Sequence, residues 1–406
     1  MPRIPLTACV AAAALAASLG ACGSRDETLT RRIHAHPSMP LDATLRLAIG
    51  AEADTSEPAA LLAGVGNAII DQGEHLAIVD GGSSSIRLFD ARGRFVRSVG
   101  RDGSGPGEFR LPTWIGGCWG GGYAAWDFGR KVVYYDSLWN YRDEVPIPAA
   151  VTSARPLACL TGGVIVATVE TGGRVPEGGG LVRLPTSVLR IRPREGRVDT
   201  IATFAGTEYF FSRRSPIFLD VPLGRATRVA VRLQDVVVAS TDSTTLHVLS
   251  LNGAPVTQWP LGLTRRHASL DDQRRAFEER LEALQLLRTR RMLRPLLEEL
   301  PRVDQFPYFE TLVTDDSARI WIKTYDGAGT PWRVWQVVGD RGGVRATVRL
   351  PAKAQVTTIA QGCIVAIERD SVGTERVRVY GMRTGEKDGL MAPCPLGLTA
   401  LPSSTG

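Results

Sequence analysis

Residues 76–100 read LAIVDGGSSSIRLFDARGRFVRSVG, in which three apolar runs of about five residues are separated by turns rich in Gly, Ser and Asp. Short runs with apolar–polar alternation between such turns indicate antiparallel β-strands joined by tight connections. Another apolar run, Ala68–Ile70, precedes them. The segment from Gly66 to Phe109 therefore predicts one four-stranded meander.

This four-strand unit recurs along the whole chain. Its third strand begins near residues 86, 132, 188, 246, 332 and 377, a spacing of about 45 to 58 residues except across one longer interval. A repeat of this length with four short strands is typical of a propeller blade. The sequence predicts an all-β fold, a six-bladed β-propeller that spans residues 43–390.

We assign closure of the predicted ring to a strand near the N-terminus, at the other end of the chain from the sixth unit. The sixth unit has no clear strand after Tyr380, whereas an alternating segment without a partner lies at Ala43–Ile49. Because a free sheet edge invites pairing with other chains, we expect this N-terminal strand to complete the last blade. The Pro- and Ser-containing tail, residues 391–406, is predicted to be disordered.

The longer interval contains a helical insertion, about residues 265–302, between the fourth and fifth blades. Ser269 is a good N-cap, and Pro295 is expected to interrupt the helix. Two interpretations are open: a lid whose arginines face a ligand or partner, or a packed surface hairpin with a solvated charged face. Both require the apolar stripe that the spacing i, i+4, i+7, i+10 creates. The stripe consists of Phe277, Leu281, Leu284 and Leu287.

The connection that follows the first unit resembles a known repeat. Residues 100–109 read GRDGSGPGEF, Pro112 follows, and Phe89, Asp90, Gly93 and Phe95 precede the loop. This pattern resembles the inter-blade loop of NHL-type propellers, and residues 43–390 resemble bacterial six-bladed propeller lipoproteins, mostly of unassigned function. A phosphate-binding loop would open a helix and end in Lys-Ser/Thr, so chain reversal between blades is the better interpretation of these glycines.

The N-terminus is typical of an exported protein. An apolar run from Ile4 to Leu19 is too short for a comfortable membrane span and predicts a signal peptide, residues 1–21. The sequence before Cys22 resembles the lipobox of bacterial lipoproteins, which implies cleavage before Cys22 and lipidation of its thiol. The alternative is an ordinary signal peptide that is cut near Ala21. Gly23 implies, by the same resemblance, sorting to the outer membrane.

We therefore expect residues 22–42 to be a lipidated tether that holds the propeller on the cell envelope, facing the periplasm or the surface. Four cysteines remain after Cys22: Cys118, Cys159, Cys363 and Cys394. In an oxidising compartment they allow two bridges, and Cys118 and Cys159 occupy matching places in neighbouring repeats. The alternative is that some of the four are buried small apolar residues.

No motif in the sequence predicts catalysis. HExxH, GxSxG and zinc-type cysteine spacings are absent from the chain, so we predict no catalytic residue, no metal ligand and no cofactor. Asp80, Asp90, Asp127 and Asp136 recur by blade, which favours turn capping over a catalytic role. The net charge of +6 is spread along the chain, and nucleic acid is not a predicted partner.

The first strand of each predicted blade lines the central channel, whose mouth is where propellers bind ligands. Two arginines near one mouth favour an anionic group, because guanidinium pairs with carboxylate or phosphate through two parallel hydrogen bonds. The predicted ligand-binding residues are Asn67, Trp114, Arg155, Arg228 and Glu310.

The leading hypothesis is a binding or scaffold protein without catalytic activity, anchored to the envelope membrane by lipid. Its propeller face would contact a protein or a small, anionic ligand. The alternative is a metal-dependent hydrolase that resembles the sugar-lactone hydrolases, which are also six-bladed and hold calcium or zinc in the channel. For that alternative the first strands offer Asn67 and Glu310 as ligands.

Overall fold

The computed structural model describes residues 39–50, 60–172, 176–213, 218–283, 287–327, 329–339, 342–370, 372–382 and 393–397. All of them belong to one compact unit, Ala35–Gly406. The predicted signal peptide, Cys22 and most of the tether lie outside the described residues. Among the helices described, none is both long and apolar enough to cross a bilayer.

Six sheets follow one another along the described chain, and each is built around an antiparallel meander of three to five strands. Blade 1 contains β3 Val65–Ile70, β4 Leu76–Asp80, β5 Ser85–Phe89 and β6 Phe95–Val99. Blade 2 contains β7 Pro112–Gly117, β8 Tyr123–Asp127, β9 Lys131–Tyr135 and β10 Tyr141–Pro146. Blade 3 contains β11 Arg155–Cys159, β12 Ile165–Glu170, β13 Gly180–Arg192, β14 Arg197–Phe211 and β15 Phe218–Asp220.

The second half of the ring continues the same pattern. Blade 4 contains β16 Thr227–Arg232, β17 Asp235–Ser240, β18 Thr245–Ser250 and β19 Pro255–Pro260. Blade 5 contains β20 Phe309–Thr314, β21 Ile320–Thr324, β22 Trp332–Val338, β23 Val344–Pro351 and, at its outer edge, β1 Met39–Leu41. Blade 6 contains β24 Gln355–Ala360, β25 Cys363–Arg369, β26 Glu375–Met382 and β2 Ala43–Gly50.

The first strands of the blades form a closed ring. β3 contacts β7, and the series continues through β11, β16, β20 and β24, which in turn contacts β3. Apolar side chains fill the space between neighbouring sheets, as where Ile86 and Val99 of blade 1 pack with Tyr123 and Val133 of blade 2. The predicted six-bladed β-propeller is therefore confirmed.

The ring is closed by the N-terminal strand, as predicted. β2 pairs antiparallel with β26, from Ala43 opposite Met382 to Gly50 opposite Arg376. The preceding strand β1, which the sequence analysis did not foresee, pairs in parallel with β23 of blade 5. The N-terminal segment thus joins the outer edges of two neighbouring blades.

Both cysteine pairs form disulfide bonds. Cys118 bonds to Cys159 and connects blades 2 and 3, and Cys363 bonds to Cys394. The second bond corrects the prediction of a disordered tail for residues 393–397. Cys394 and Leu396 are buried in the apolar cluster between blades 6 and 1, and the Gly397 amide donates to the Ala91 carbonyl oxygen at 2.7 Å.

The repeated aspartates shape turns, as expected. Asp90 and Asp136 each accept hydrogen bonds from the backbone amides two and four residues later. Asp80 and Asp127 are buried, and each accepts a backbone amide of the segment that leads into its own blade. These carboxylates therefore fix local backbone geometry in blades 1 and 2.

The insertion is helical, as predicted. Helix α1, Leu270–Ala283, follows the N-cap Ser269, and helix α2, Leu287–Leu293, ends at a 3₁₀ turn, Arg294–Glu298, that contains Pro295. Phe277 and Leu281 of the stripe are buried against Leu219 of β15. Leu284 lies outside the described residues.

Candidate anion site at the upper face of the ring

The segments that the chain adds to the four-strand repeat lie on one face of the ring. We call the face at which the first strand of each blade begins the upper face. The second strand of each blade ends there, because Arg155 pairs with Thr168, Thr227 with Ser240 and Phe309 with Thr324. The insertion leads directly into β20 and therefore approaches from this face.

A long hairpin of blade 3 also extends beyond the upper face. β12 ends at Glu170, opposite Thr186, but β13 begins six residues earlier, at Gly180, and pairs there with the end of β14. β15 then pairs with β14 between Tyr209 and Phe211. The hairpin and β15 form a wall on which helix α1 packs.

Arg228 occupies the second position of β16, between this wall and blade 5. Its Nε donates to the carbonyl oxygen of Glu310 at 2.7 Å, and the side chain is half-buried. Burial, together with the positive charge of Arg280, lowers the pKa of Arg228 below the usual arginine value. Within the part of the chain that the structure describes, Arg228 makes no ion pair.

The Glu310 side chain is occupied by two cations of its own blade. Its carboxylate lies 2.7 Å from Lys323 Nζ and 3.1 Å from Arg333 Nε. The Arg333 side chain is 5% exposed, so it is almost fully desolvated and strongly favours carboxylate partners. Its Nη2 also lies 3.3 Å from Glu279 of helix α1.

Helix α1 is tied to the ring by charge as well as by apolar packing. Glu279 pairs with Arg333 of blade 5, and Arg280 pairs with Asp220 of β15 at 2.8 Å. The apolar stripe packs on β15 next to these pairs. Helix α1 therefore bridges blades 3 and 5 at the upper face, close to Arg228. The insertion has a feature of each interpretation, because it lies at the upper face, as a lid would, and its apolar stripe is packed, as in a surface hairpin.

The structure brings Arg228 and Glu310 together, places Arg155 on the neighbouring first strand, and places Asn67 and Trp114 in blades 1 and 2. Asn67 accepts from the Ile115 amide and donates to the Ile115 carbonyl oxygen, both at 2.8 Å. These two bonds connect blade 1 to blade 2. The half-buried Trp114 ring packs on Gly116, where a Cβ atom has no room.

Arg155 is exposed at the start of β11, and among the described residues its side chain has no hydrogen-bond partner. Because β11 is next to β16 in the ring, Arg155 and Arg228 belong to neighbouring first strands at the same face. Arg155 therefore remains a predicted ligand contact, at the edge of the group around Arg228.

Four charged residues of this group were missed from the sequence. Lys323 and Arg333 belong to the second and third strands of blade 5, Asp220 to a short strand and Glu279 to helix α1. A search restricted to first strands could not include them. The alternation in Trp332–Val338 places Arg333 on the buried side of β22, and a buried arginine between apolar residues was the available signal.

The residues offered for a metal centre do not fit that role. Asn67 is bonded to the backbone of Ile115, and the Glu310 carboxylate is held by Lys323 and Arg333. No group of three or more His, Cys, Asp or Glu side chains within the described ranges is arranged to hold a metal ion. The alternative of a metal-dependent hydrolase therefore lacks its proposed ligands.

Comparisons place the chain beside other propellers. No protein-family model matches it, and no curated protein matches its sequence. It is similar to an exported protein of Bacteroides fragilis NCTC 9343, with 13% identity, 85% of this chain and 96% of that chain covered, and a TM-score of 0.45. It is also similar to a DUF4221 family member of Bacteroides vulgatus ATCC 8482, with 11% identity, 86% and 99% coverage, and a TM-score of 0.48.

A third similar structure is virginiamycin B lyase from Staphylococcus aureus, with 6% identity, 84% and 99% coverage, and a TM-score of 0.40. Similarity at these levels carries no information about ligand or activity, because one fold supports many functions. Any function has to be argued from the residues at the upper face.

Proposed function

We propose that this protein is an exported binding protein of the bacterial cell envelope, anchored through lipid on Cys22. Its upper face binds the anionic group of a small molecule or of a partner protein. Two disulfide bonds support an oxidising compartment, where such bonds persist. The lipobox-like sequence at Cys22 supports the anchor.

The observation that carries the proposal is the unpaired charge of Arg228. The cluster around it joins Arg228, Arg280, Lys323 and Arg333 to the carboxylates of Asp220, Glu279 and Glu310. Four cations therefore face three anions. The carboxylates are engaged by the other three cations, so the positive charge left over is that of Arg228.

A half-buried guanidinium without a counter-ion is an unfavourable arrangement unless another anion completes it. The Nε edge of Arg228 is already bonded to the Glu310 carbonyl oxygen, and its two Nη groups have no partner among the described residues. The two Nη groups can donate hydrogen bonds to two oxygens of one carboxylate or phosphate. Arg155, on the neighbouring first strand, would add a second and weaker contact.

A matched pair of variants tests the assignment. Arg232 lies at the other end of β16 and makes the same kind of hydrogen bond as Arg228. Its Nε donates to the Ala318 carbonyl oxygen of blade 5 at 2.6 Å. Binding of citrate and of inorganic phosphate to the purified protein is measured by isothermal titration calorimetry. We expect Arg228→Ala to weaken binding by about tenfold or more, since a charged hydrogen-bonded contact contributes about 1.5–3 kcal/mol.

The control Arg232→Ala should bind both anions like the unchanged protein, because its guanidinium lies at the opposite end of the strand. Equal affinity of the Arg228→Ala variant would refute the assignment. The same conclusion would follow if neither anion bound the unchanged protein.

A further inference from the structure

The N-terminal strands enter the ring at the face opposite the anion site. At this lower face the first strand of each blade ends. The third strand of blade 6, β26, therefore runs from the upper face to the lower face, and Ala43 of β2 lies opposite its last residue, Met382. The preceding strand β1 is parallel to β23, and Met39 pairs with Ala346 near the lower end of that strand. The chain thus enters at the lower, outer edge of blades 5 and 6.

This entry point favours one orientation of the ring on a membrane, provided that Cys22 carries the lipid of the proposed function. The segment between Cys22 and Met39 spans at most about 60 Å. If the upper face lay next to the bilayer, that segment would first have to pass along the outside of a blade. A strand of the length of β2 covers about 25 Å. Fewer chain conformations satisfy this arrangement, so conformational entropy favours the lower face towards the membrane.

Arginines are concentrated at the same face on the opposite side of the ring. β13 and β14 meet there in a turn of blade 3, and blade 3 is opposite blade 6 in the ring. The Asp199 carboxylate lies 3.2 Å from Arg190 Nη2 and 2.6 Å from Arg192 Nη1. It also lies 3.0 Å from Arg197 Nε, whereas Glu195 is 3.9 Å from Arg192. Three guanidinium groups therefore share one close carboxylate.

Arg194, in the turn itself, adds a fourth guanidinium group. Its Nη2 lies 3.0 Å from Asp143 of blade 2, and its guanidinium carbon lies 4.2 Å from the centroid of the Tyr134 ring. Within the described residues the four arginines meet three carboxylates, so one positive charge is in excess. Arg194 and Arg197 are 45% and 63% exposed and can reach an anion outside the protein. The arginine cluster consists of Arg190, Arg192, Arg194 and Arg197.

A strongly exposed leucine lies at the lower face of the neighbouring blade 2. Leu138 belongs to the turn between β9 and β10 and is 71% exposed. The Asp136 carboxylate fixes this turn, because it accepts from the amides of Leu138 and Asn140 at 2.9 and 2.8 Å. Trp139, the next residue, is buried. An apolar side chain held outwards at the same face as a basic cluster suits an anionic lipid surface.

We propose that the lower face of the propeller lies against the membrane. The arginine cluster binds the phosphates of anionic lipid headgroups, and Leu138 inserts beside them. The lipid on Cys22 holds the side of blades 5 and 6, and the cluster holds the opposite side. The upper face, with Arg228, is then turned away from the bilayer and open to a ligand or partner.

Quenching by a spin-labelled lipid measures which face is next to the bilayer. The lipidated full chain is reconstituted into vesicles of equal amounts of phosphatidylethanolamine and phosphatidylglycerol, and one fluorophore is attached to Leu138→Cys or to Leu111→Cys. Leu111 directly precedes β7 of the same blade, at the upper face, and is 49% exposed. We expect the fluorophore at position 138 to be quenched about threefold more strongly than the one at position 111, or more.

Two double variants test the arginines. Arg194→Gln with Arg197→Gln removes the exposed charges of the cluster, and Arg274→Gln with Arg291→Gln removes two exposed charges of the insertion. The first should reduce quenching at position 138 by about half or more, because the attraction to phosphatidylglycerol is lost, and the second should not change it. If the first lowers the melting temperature, Arg197→Gln alone replaces it, since Asp199 keeps two other arginines.

Three results would overturn the proposal. They are equal quenching at the two positions, stronger quenching at position 111, and unchanged quenching at position 138 after loss of the cluster charges. All three leave the lipid anchor intact, because an anchored chain floats with vesicles in either orientation. Failure of the unchanged chain to float with neutral phosphatidylcholine vesicles would refute the anchor on Cys22, and the orientation with it.

Discussion

Tyr134 and Tyr135 are neighbours in β9, and their hydroxyl groups have opposite surroundings. Tyr134 Oη donates to the Gly163 carbonyl oxygen at 2.7 Å, whereas Tyr135 Oη has no partner among the described residues. Both side chains are 5% exposed. A comparison of the two residues therefore separates the effect of a buried hydrogen bond on stability from the effect of a buried hydroxyl group without a partner.

We predict that Tyr134→Phe lowers the free energy of unfolding by about 1–2 kcal/mol, because the Gly163 carbonyl oxygen loses its donor. Tyr135→Phe should leave it unchanged or raise it by up to about 1 kcal/mol, because an unsatisfied group is removed. Urea unfolding without added ligand measures both values. An equal loss in the two variants would show that Tyr135 has a structural partner.

For single residues, the sequence predicted where a side chain lies better than which groups that side chain contacts. Arg228 and Glu310 were identified as polar members of first strands, and the structure does bring them together. Asn67 is also a polar member of a first strand, and its amide matches the backbone of Ile115 in both donor and acceptor. Which atom satisfies a polar side chain depends on the neighbouring blade, and a single strand does not contain that information.

Helix α1 begins with a reciprocal cap. Ser269 Oγ accepts from the Asp272 amide at 3.2 Å, and the Asp272 carboxylate accepts from the Ser269 amide at 2.9 Å and from its hydroxyl at 2.7 Å. These bonds to Ser269 lower the pKa of Asp272 to about 2. The cap thus depends on an ionised carboxylate.

The sign of the pH dependence follows from the lowered pKa. The pKa of Asp272 in the folded protein, about 2, is below the ordinary aspartate pKa of 3.8, so the stabilisation is present above about pH 4 and is lost as the pH falls towards 2. We predict that Asp272→Asn costs about 1 kcal/mol at pH 6 and less at pH 2.5. Urea unfolding at the two pH values measures the difference.

Asp271→Asn is the matched control for the cap. Asp271 is 73% exposed and pairs with Arg274 at 3.5 Å, an arrangement that contributes little in water. Its variant should show a small effect with the same value at both pH values. A cost for Asp272→Asn that does not change with pH would contradict the assignment of the cap to the carboxylate.

At the scale of elements, periodicity located the repeating strands. The predicted meander from Gly66 to Phe109 matches β3, β4, β5 and β6, because short alternating runs between glycines leave little choice of register. The extension of β13 to Gly180 was missed. Pro185 and a Gly-rich start weaken its strand pattern, and its pairing with the end of β14 compensates through long-range hydrogen bonds.

The ring as a whole depends on the strand that closes it. Without β2, the edge of β26 from Glu375 to Met382 would lose its partner and become open to other chains. We predict that a chain beginning at Ala51 forms dimers or larger aggregates. Size-exclusion chromatography with light scattering measures the molar mass.

A chain beginning at Asp42 is the control for that truncation. It lacks β1 and keeps β2, so it should remain monomeric and lose about 2 kcal/mol from the exposure of the site of Leu41, which is 5% exposed. Aggregation of both truncated chains to the same extent would show that β1, and not closure of blade 6, protects the edge.

The pairing of β2 with β26 also constrains the order of folding. Thr44 Oγ1 bonds to the Gly381 carbonyl oxygen, 337 residues further along the chain. A strand synthesised first must therefore wait for nearly the entire polypeptide before its partner exists, and long-range pairing is slow because of the entropy of loop closure. Pulsed hydrogen exchange during refolding should find the amides of β2 protected later than those of β4. Simultaneous protection would mean that the ends meet early and that the blades assemble around that first contact.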